Sequence, residues 1–281
     1  MRSSERLTLS FLAALSAVAL PGLPATALSL AVFAALAAAT TLLARDGAGV
    51  PRVVRDFFPV ALVIAVYLAL EPVIAGGNTG RWDAVLEAWD ERWAAPLLAA
   101  WQGAFGRRAA AVDAVYLAYV SYYLVPIAAV VLARRRGAEP FERAVFVLLL
   151  CYYASFAGYL LFPTSGPRLP QADEARLLGG GAISDLAREF LRAAEKTRLD
   201  AFPSGHTAIS LVAGVVGARA APRAAPALWA WSAVVVFSTV YVHVHYVVDV
   251  AAGAVLAGAV LAGAAAVGRA LAPSERPEEA V

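Results

Sequence analysis

Long apolar runs separated by short polar segments occupy most of the chain. An α-helix needs about 20 predominantly apolar residues to cross a lipid bilayer, and runs of about this length recur along the sequence. They predict about eight membrane-spanning helices, at 8–20, 24–44, 57–75, 112–133, 144–162, 203–219, 226–244 and 247–268. The pattern therefore predicts an all-α fold, a polytopic transmembrane helix bundle.

The N-terminal run allows a second interpretation, because it is short and ends at Pro21 and Pro24. Residues 1–27 also have the form of a secretory signal peptide, with Arg2 and Arg6 as the charged start. Either interpretation leaves the later topology unchanged. The predicted divisions are an N-terminal transmembrane hairpin or signal-like segment, a membrane domain and a disordered polar tail, at 1–50, 51–271 and 272–281.

Arginines are concentrated in alternate loops of this topology. Short cytoplasmic loops carry an excess of Lys and Arg, and eight spans bring five arginine-bearing segments to one face, at 2–6, 45–55, 134–143, 219–223 and 269. That face is predicted to be cytoplasmic, so loops 76–111 and 163–202 are predicted to face outward. The spaced tryptophans of 82–101 predict an interfacial helix on the outer leaflet, with an ordinary amphipathic loop helix as the alternative.

Composition supports a membrane protein and removes several other classes. Hydrophobic residues make up 61% of the chain and charged residues 16%, against about 45–50% and about 25% in soluble proteins. The net charge is +2 and no basic stripe with interleaved aromatic residues occurs, so nucleic acid is not an expected partner. Cys151 is the single cysteine, which excludes an intrachain disulfide or a cysteine metal cluster.

The three histidines, at 206, 243 and 245, lie at predicted span ends on the outward face. Ionisable groups at membrane depth are costly and indicate function. In FPSGH at 202–206, Pro203 suits a first helical turn, Ser204 can cap it and Gly205 allows close backbone approach. Helix-start amides bind anions, so His206 is predicted to lie beside an anion site. The alternative is a helix cap with an incidental histidine.

A second motif, HYVVD, places His245 and Asp249 four residues apart, on one face of a predicted helix. A carboxylate bonded to one imidazole nitrogen fixes the tautomer and makes the other nitrogen a better nucleophile. The alternative is a buried pair that holds two helices together. In FPTSGPR at 162–168, the Arg168 guanidinium either binds phosphate oxygens or reaches lipid headgroups from the interface.

Two histidines and a carboxylate also raise the question of zinc. A catalytic zinc site usually has three protein ligands and a water. His243 and His245 would point to different sides of a helix, and the sequence has no HExxH motif. We therefore expect no metal or other cofactor, and we interpret His243 as peripheral.

These motifs resemble those of the type-2 phosphatidic acid phosphatase superfamily. FPSGHT at 202–207 and ST-x5-HYVVD at 238–249 carry the resemblance, and FPTSGPR at 162–168 makes the chain more similar to the inositol phosphorylceramide synthase-like branch. The resemblance covers about 160–253, and the run YLAYVSYYLVP at 116–126 is similar in a weaker way. It implies a six-helix phosphatase-type core, here with extra N-terminal spans, and a metal-independent active site at the outer face.

Carried over by position, the resemblance implies a role for each motif residue. His245 is the nucleophile that takes the phosphoryl group, Asp249 orients it, and His206 is the general acid. Arg168 and the Ser204–Gly205 backbone hold phosphate oxygens. We add as candidate substrate-binding residues Thr207, Asp200 and Tyr246.

The chain departs from the superfamily pattern at two cationic positions. The first motif usually begins with a lysine, where this chain has Leu161, and the third usually has Ser-Arg, where this chain has Ser238 and Thr239. The departures agree with the synthase-like branch, in which those positions are less basic. Lys196 or Arg198 could supply charge from the loop instead.

The expected function is that of a membrane-embedded lipid phosphatase or phosphotransferase that cleaves a phosphoester through a phosphohistidine. Transfer of an inositol-phosphate-type head group to a lipid alcohol is one form of this reaction, and a plain polyprenyl or phosphatidic acid-type phosphatase is the alternative. A proton-relay transporter, or a structural membrane protein that lost activity, would be alternatives of another class. The expected partners are a lipid phosphate or phospholipid substrate and membrane lipid, at a bacterial-type plasma membrane.

Overall fold

The computed structural model describes residues 1–45, 49–77, 82–94, 96–97, 100, 103–104, 108–195 and 197–270. Within these residues the secondary structure is helical apart from one isolated β-bridge between Thr164 and Asp200. The predicted all-α fold is therefore confirmed. The predicted tail at 272–281 and the candidate cation Lys196 lie outside the described residues.

The α-helices are numbered here in chain order. They are α1 (Ser3–Ala19), α2 (Ala27–Ala44), α3 (Arg52–Gly77), α4 (Asp83–Trp93), α5 (Ala109–Val120), α6 (Leu124–Arg134), α7 (Ala138–Leu161), α8 (Gln171–Leu178), α9 (Ala182–Ala194), α10 (Gly205–Ala220), α11 (Ala225–Tyr241) and α12 (Val247–Ala270). Short 3-10 turns occur at Leu20–Gly22, Ser121–Tyr123 and Pro222–Ala224. The turn at Ser121–Tyr123 joins α5 and α6 into one nearly continuous rod.

Six helical segments of the described chain are long and apolar enough to cross a membrane. They are Ala27–Ala44, Arg52–Gly76, Ala109–Arg134, Ala138–Leu161, Pro222–Tyr241 and Val247–Ala266. They indicate an integral membrane protein, as the apolar pattern predicts. The other two predicted spans correspond to α1, with 17 residues, and α10, with 16. Both are shorter than the roughly 20 residues that a bilayer requires, so the number of eight spans stays a prediction.

Helix α10 lies at the centre of the bundle, where it packs against α6, α7, α11 and α12. Small residues make this close packing possible. At Gly217, for example, an added Cβ would lie 2.8 Å from Leu228. Another apolar core joins α1, α2, α3 and α7 around Phe33, Val66 and Leu70. The central position of α10 places its first turn, which carries His206, among the ends of several neighbouring helices.

Arginines make ion pairs and a hydrogen bond at the end of the bundle that lies away from His206. Asp56 at the start of α3 accepts from Arg2 at 2.6 Å and lies 3.0 Å from Arg134 at the end of α6. Arg136 donates to the carbonyl of Ala220 at the end of α10 at 2.6 Å. Because α10 rises about 1.5 Å per residue, these arginines lie at the far end of the bundle from His206.

Helix α4 covers part of the predicted interfacial segment 82–101 and contacts α12. Trp89 and Trp93 are exposed on its surface. Two of its carboxylates accept hydrogen bonds from the backbone at the end of the bundle that carries His206. Asp83 accepts from the amides of Ser165 and Gly166 at 2.8 and 3.2 Å, and Asp90 accepts from those of Val247 and Val248 at 2.9 and 3.1 Å. The location of this helix on the outer leaflet stays a prediction.

Candidate active site

The starts of α10 and α12 are joined directly at one end of the bundle. The Ser204 hydroxyl caps α10, accepting from the Thr207 amide at 3.2 Å and from its hydroxyl at 3.1 Å. The Ser204 amide donates to the carbonyl of Asp249 at 3.0 Å. This contact holds the first turn of α10, with His206, against the first turn of α12, with Asp249.

The three predicted catalytic residues form a continuous chain of contacts. His245 Nε2 lies 3.1 Å from His206 Nδ1, and His245 Nδ1 lies 3.5 Å from Asp249 Oδ2. The side chains of His245 and Asp249 are 2% and 0% exposed. Burial, together with the nearby His206 and Arg168, holds the pKa of His245 well below its ordinary value. His245 is therefore a neutral imidazole at physiological pH.

The backbone reaches this geometry by a route that differs from the predicted one. We expected His245 and Asp249 on one helical face, but α11 ends at Tyr241 and α12 begins at Val247. His245 therefore lies in a turn, where it and Val244 both donate their amides to the carbonyl of Thr239, at 3.2 and 3.0 Å. The Asp249 carboxylate accepts from the Tyr246 amide at 2.8 Å, which brings the acid back toward His245.

Arg168 joins the site from the loop after α7. Its Nη2 donates to Asp200 Oδ1 at 2.8 Å, and Tyr67 donates to Asp200 Oδ2 at 2.7 Å. The Ala201 amide donates to the Thr164 carbonyl at 3.1 Å, which aligns the two loops. Burial opposes the charge of Arg168, but Asp200 and Glu195 outweigh it and raise its pKa. Its Nη1 is buried and has no hydrogen-bond partner in the described part of the chain, so it is available to an anion.

The predicted substrate-binding residues occupy different positions. Ser204 and Thr207 are buried in the cap of α10, and an added Cβ at Gly205 would collide with the Tyr159 hydroxyl. The amides of Ser204 and Thr207 already donate, to the Asp249 carbonyl and to the Ser204 hydroxyl, so this cap attracts an anion through the helix dipole rather than through those two amides. Both carboxylate oxygens of Asp200 already have partners, since Arg168 donates to Oδ1 and Tyr67 donates to Oδ2. Tyr246 is buried at the start of α12, where burial and nearby carboxylates, Glu87 first among them, raise its pKa.

A protein-family model of the PAP2 superfamily matches residues 85–263. The chain belongs to the PAP2 superfamily. The match contains the whole set of His206, His245, Asp249 and Arg168 and excludes α1 to α3. No curated protein and no solved structure matches the chain. Members of the PAP2 superfamily are phosphatases, so the match supports phosphoric-ester chemistry, and the six apolar helices fit an enzyme that acts on lipids.

Leu161 and Thr239 occupy the two positions at which the superfamily pattern usually has a lysine and an arginine. Leu161 ends α7 and its side chain is 61% exposed. Thr239 is fully buried in α11, and its carbonyl receives the two amides of the turn that carries His245. Neither residue carries a positive charge. The two cations that usually accompany the arginine at the position of Arg168 are therefore missing from this chain.

Glu195 lies next to His206, a position that the sequence analysis did not predict. Its Oε1 lies 3.7 Å from His206 Nε2, and it accepts hydrogen bonds from the hydroxyls of Tyr119 at 2.9 Å and Tyr123 at 3.1 Å. Although burial favours the neutral acid, His206 and Arg168 hold the pKa of Glu195 below its ordinary value. A carboxylate therefore lies on each side of the imidazole pair.

Aromatic rings fix the orientation of His206 in this PAP2 site. The ring centroids of Tyr119 and Tyr122 lie 4.9 and 4.3 Å from that of His206. The tyrosines at 119 and 123 are four residues apart, a spacing that suggests a common polar partner on one helix face. In the described residues, no group of three or more His, Cys, Asp and Glu side chains has the arrangement of a metal site. Chemistry without a metal stays a prediction.

Proposed function

We propose that the chain is a membrane-embedded lipid phosphatase or phosphotransferase that works through a phosphohistidine on His245. The observation that carries this proposal is the contact chain from Asp249 through His245 to His206, with separations of 3.5 and 3.1 Å. The Asp249 carboxylate favours a proton on Nδ1 of His245 and so leaves Nε2 unprotonated for attack. Membership of the PAP2 superfamily supports the same chemistry.

In the first step, Nε2 of His245 forms a bond to phosphorus while the bond from phosphorus to the leaving oxygen breaks. His206 gives its Nδ1 proton to that oxygen, a contribution of about 10²–10⁴ in rate. A nucleophile lies about 3–3.5 Å from the atom that it attacks. Because the two imidazole nitrogens are only 3.1 Å apart, His206 must turn away from His245 to admit the phosphoryl group.

In the second step, water or an alcohol attacks phosphorus, the bond to His245 breaks, and His206 takes the proton of the attacking hydroxyl. Glu195 faces Nε2 of His206, so Nδ1 is the nitrogen that serves the reacting group. Arg168 and the helix dipole at the start of α10 stabilise charge on the phosphoryl oxygens, which is the main source of catalysis in phosphoryl transfer.

The acceptor decides between hydrolysis and transfer. Water makes the protein a phosphatase for a lipid phosphate of polyprenyl or phosphatidic acid type. A lipid alcohol makes it a phosphotransferase, with an inositol-phosphate-type head group as the group that the synthase-like branch would transfer. The uncharged side chains of Leu161 and Thr239 support this branch.

We also propose that the site opens to the outer face of a bacterial-type plasma membrane. The support is the separation between the arginines near Asp56 and the histidines at the start of α10, which lie at opposite ends of the bundle. Under the positive-inside rule, the arginine-rich end is cytoplasmic.

The test incubates purified protein in detergent with a panel of lipid phosphates and inositol phospholipids, with and without a lipid alcohol. Free phosphate reports hydrolysis, and a head group on the alcohol reports transfer. His245→Ala is expected to abolish both products and the acid-labile phosphoenzyme. Arg143→Gln is the control, because Arg143 is 73% exposed and pairs with Glu139 at the opposite end. Turnover that survives in His245→Ala would refute the mechanism.

A further inference from the structure

An open cavity adjoins the catalytic imidazoles. Its volume is about 70 Å³, and its lining includes Arg168, Glu195 and Val244. Val244 immediately precedes His245, and Glu195 faces His206 at 3.7 Å. A group bound in this cavity would therefore lie directly beside a phosphoryl group on His245.

Among the described residues, four arginines and two acids line the cavity, and two of those arginines, Arg168 and Arg188, are also paired with Asp200 and Asp185. The charged lining residues are Arg168, Arg188, Arg192, Arg198, Glu174 and Glu195. His243 also lines the cavity, and burial lowers its pKa, so it adds no charge at neutral pH. The positive charge left for a ligand therefore comes from Arg192 and Arg198, and it suits an anion.

The four guanidiniums differ in the number of hydrogen bonds and ion pairs that they make within the protein. Arg188 has a 2% exposed side chain and donates to the Tyr116 hydroxyl at 3.1 Å, to Asp185 at 2.9 Å and to the Gly179 carbonyl at 2.5 Å. It is committed to holding α9 in place. Arg168 uses one nitrogen for Asp200 and keeps Nη1 buried and unpartnered among the described residues.

Arg192 and Arg198 are available to a ligand. Arg192 is 38% exposed and its nearest acid, Glu174, lies 4.0 Å away. Arg198 is exposed, and within the described ranges no hydrogen bond or ion pair is seen for it. Arg192 lies in the last turn of α9 and Arg198 on the segment that leads to α10, and both line the same cavity as Arg168.

We propose that Arg192 and Arg198 form an anion subsite for a second phosphate of the substrate, next to the phosphoryl group that His245 takes. The inference rests on the proposed function and narrows its substrate class to lipids whose head carries a phosphate beyond the transferred one. A charge-assisted contact from a guanidinium to phosphate is stronger than a neutral hydrogen bond. A phosphate bound there would also occupy the cavity beside His245.

The experiment compares a lipid monophosphate with the diphosphate of the same lipid. Wild-type protein is expected to show a higher kcat/KM on the diphosphate. Arg192→Gln with Arg198→Gln is expected to lower kcat/KM on the diphosphate about tenfold, since a tenfold change corresponds to about 1.4 kcal/mol, and to change the monophosphate less than about twofold. Arg176→Gln is the control, because Arg176 is 69% exposed and does not line the cavity.

Inhibition by inorganic anions gives a second measurement, made on the wild-type protein and on the double variant. Inorganic pyrophosphate is expected to compete better than inorganic phosphate, and the double variant should lose the difference. Pyrophosphate that is no better than phosphate would overturn the subsite. Pyrophosphate that binds tightly without any substrate preference would overturn its assignment to the substrate, leaving a site for free anions.

The outcomes separate this inference from the proposed function. Equal loss on both lipids in the double variant would overturn the subsite, because the arginines would then attract all anions alike, while the phosphohistidine mechanism would stand. Turnover of both lipids by His245→Ala would overturn the mechanism itself.

Discussion

Replacing Glu195 with Gln removes one negative charge beside His206 and keeps the size of the side chain. Glu195 Oε1 lies 3.7 Å from His206 Nε2, and both side chains are largely buried, at 12% and 15% exposed. Opposite charges about 4 Å apart attract by about 4 kcal/mol at an effective dielectric constant of about 20. The hydroxyls of Tyr119 and Tyr123 already share this charge, so we expect Glu195→Gln to weaken the transition state by about 1.5–3 kcal/mol, roughly 10–100-fold in rate.

The assay uses two phosphate esters of the same lipid class that differ in their leaving group, one an alkyl alcohol and one a nitrophenol. A general acid matters when an alkoxide must leave and matters little for nitrophenolate, which departs without a proton. Glu195→Gln should therefore lower kcat/KM on the alkyl ester by the full factor and on the nitrophenyl ester by less than about threefold.

The matched control is Glu139→Gln, because Glu139 is 84% exposed at the opposite end of the bundle. It should leave both rates unchanged. Equal losses on the two esters in Glu195→Gln would refute the reasoning, since Glu195 would then act on phosphate binding rather than through His206. An unchanged rate on the alkyl ester would refute it as well.

Three further predictions test the neighbouring features. Because the pKa of His245 is lowered, single-turnover phosphoenzyme formation should stay constant as pH falls through about 6.5; a tenfold fall per pH unit from that point would contradict it. Gly205→Ala should lower the melting temperature through a loss of about 1–3 kcal/mol, partly restored by Tyr159→Phe, whereas an unchanged melting temperature would contradict the close packing. Asp90→Ala removes two contacts to the start of α12 and should cost about 0.5–2 kcal/mol in thermal unfolding, with a parallel fall in activity; Asp173→Ala, on the surface of α8, is its control.

The apolar runs and the motif residues could be predicted because their signals are local. A bilayer demands long uninterrupted apolar helices, so hydropathy alone locates α2, α3, α7 and α12. The proximity of His206, His245 and Asp249 follows from motifs at the starts of two helices. Their catalytic roles stay predictions.

The features that could not be predicted depend on breaks and on long-range contacts. The turn at His243, which has a positive φ of 58°, lies inside the predicted span 226–244, and residues 241–248 contain no Gly, Pro, Asn or Asp to mark a turn. Glu195 lies in a polar segment like many others, and only the fold brings it to Tyr119 and His206. The contacts of Asp200 could not be predicted either, because the pairing of its loop with Thr164 and Arg168 has no sequence signature.

The two aspartates of α4 give the catalytic rim a mechanical coupling to its surroundings. Asp83 holds the loop that leads to Arg168, and Asp90 holds the start of the helix that carries Asp249. The same helix displays Trp89 and Trp93 to the outside. A tilt or shift of this one helix would therefore move the loop of Arg168 and the start of α12 together, so under the proposed function a change in the packing of the surrounding lipids would change the geometry of the site.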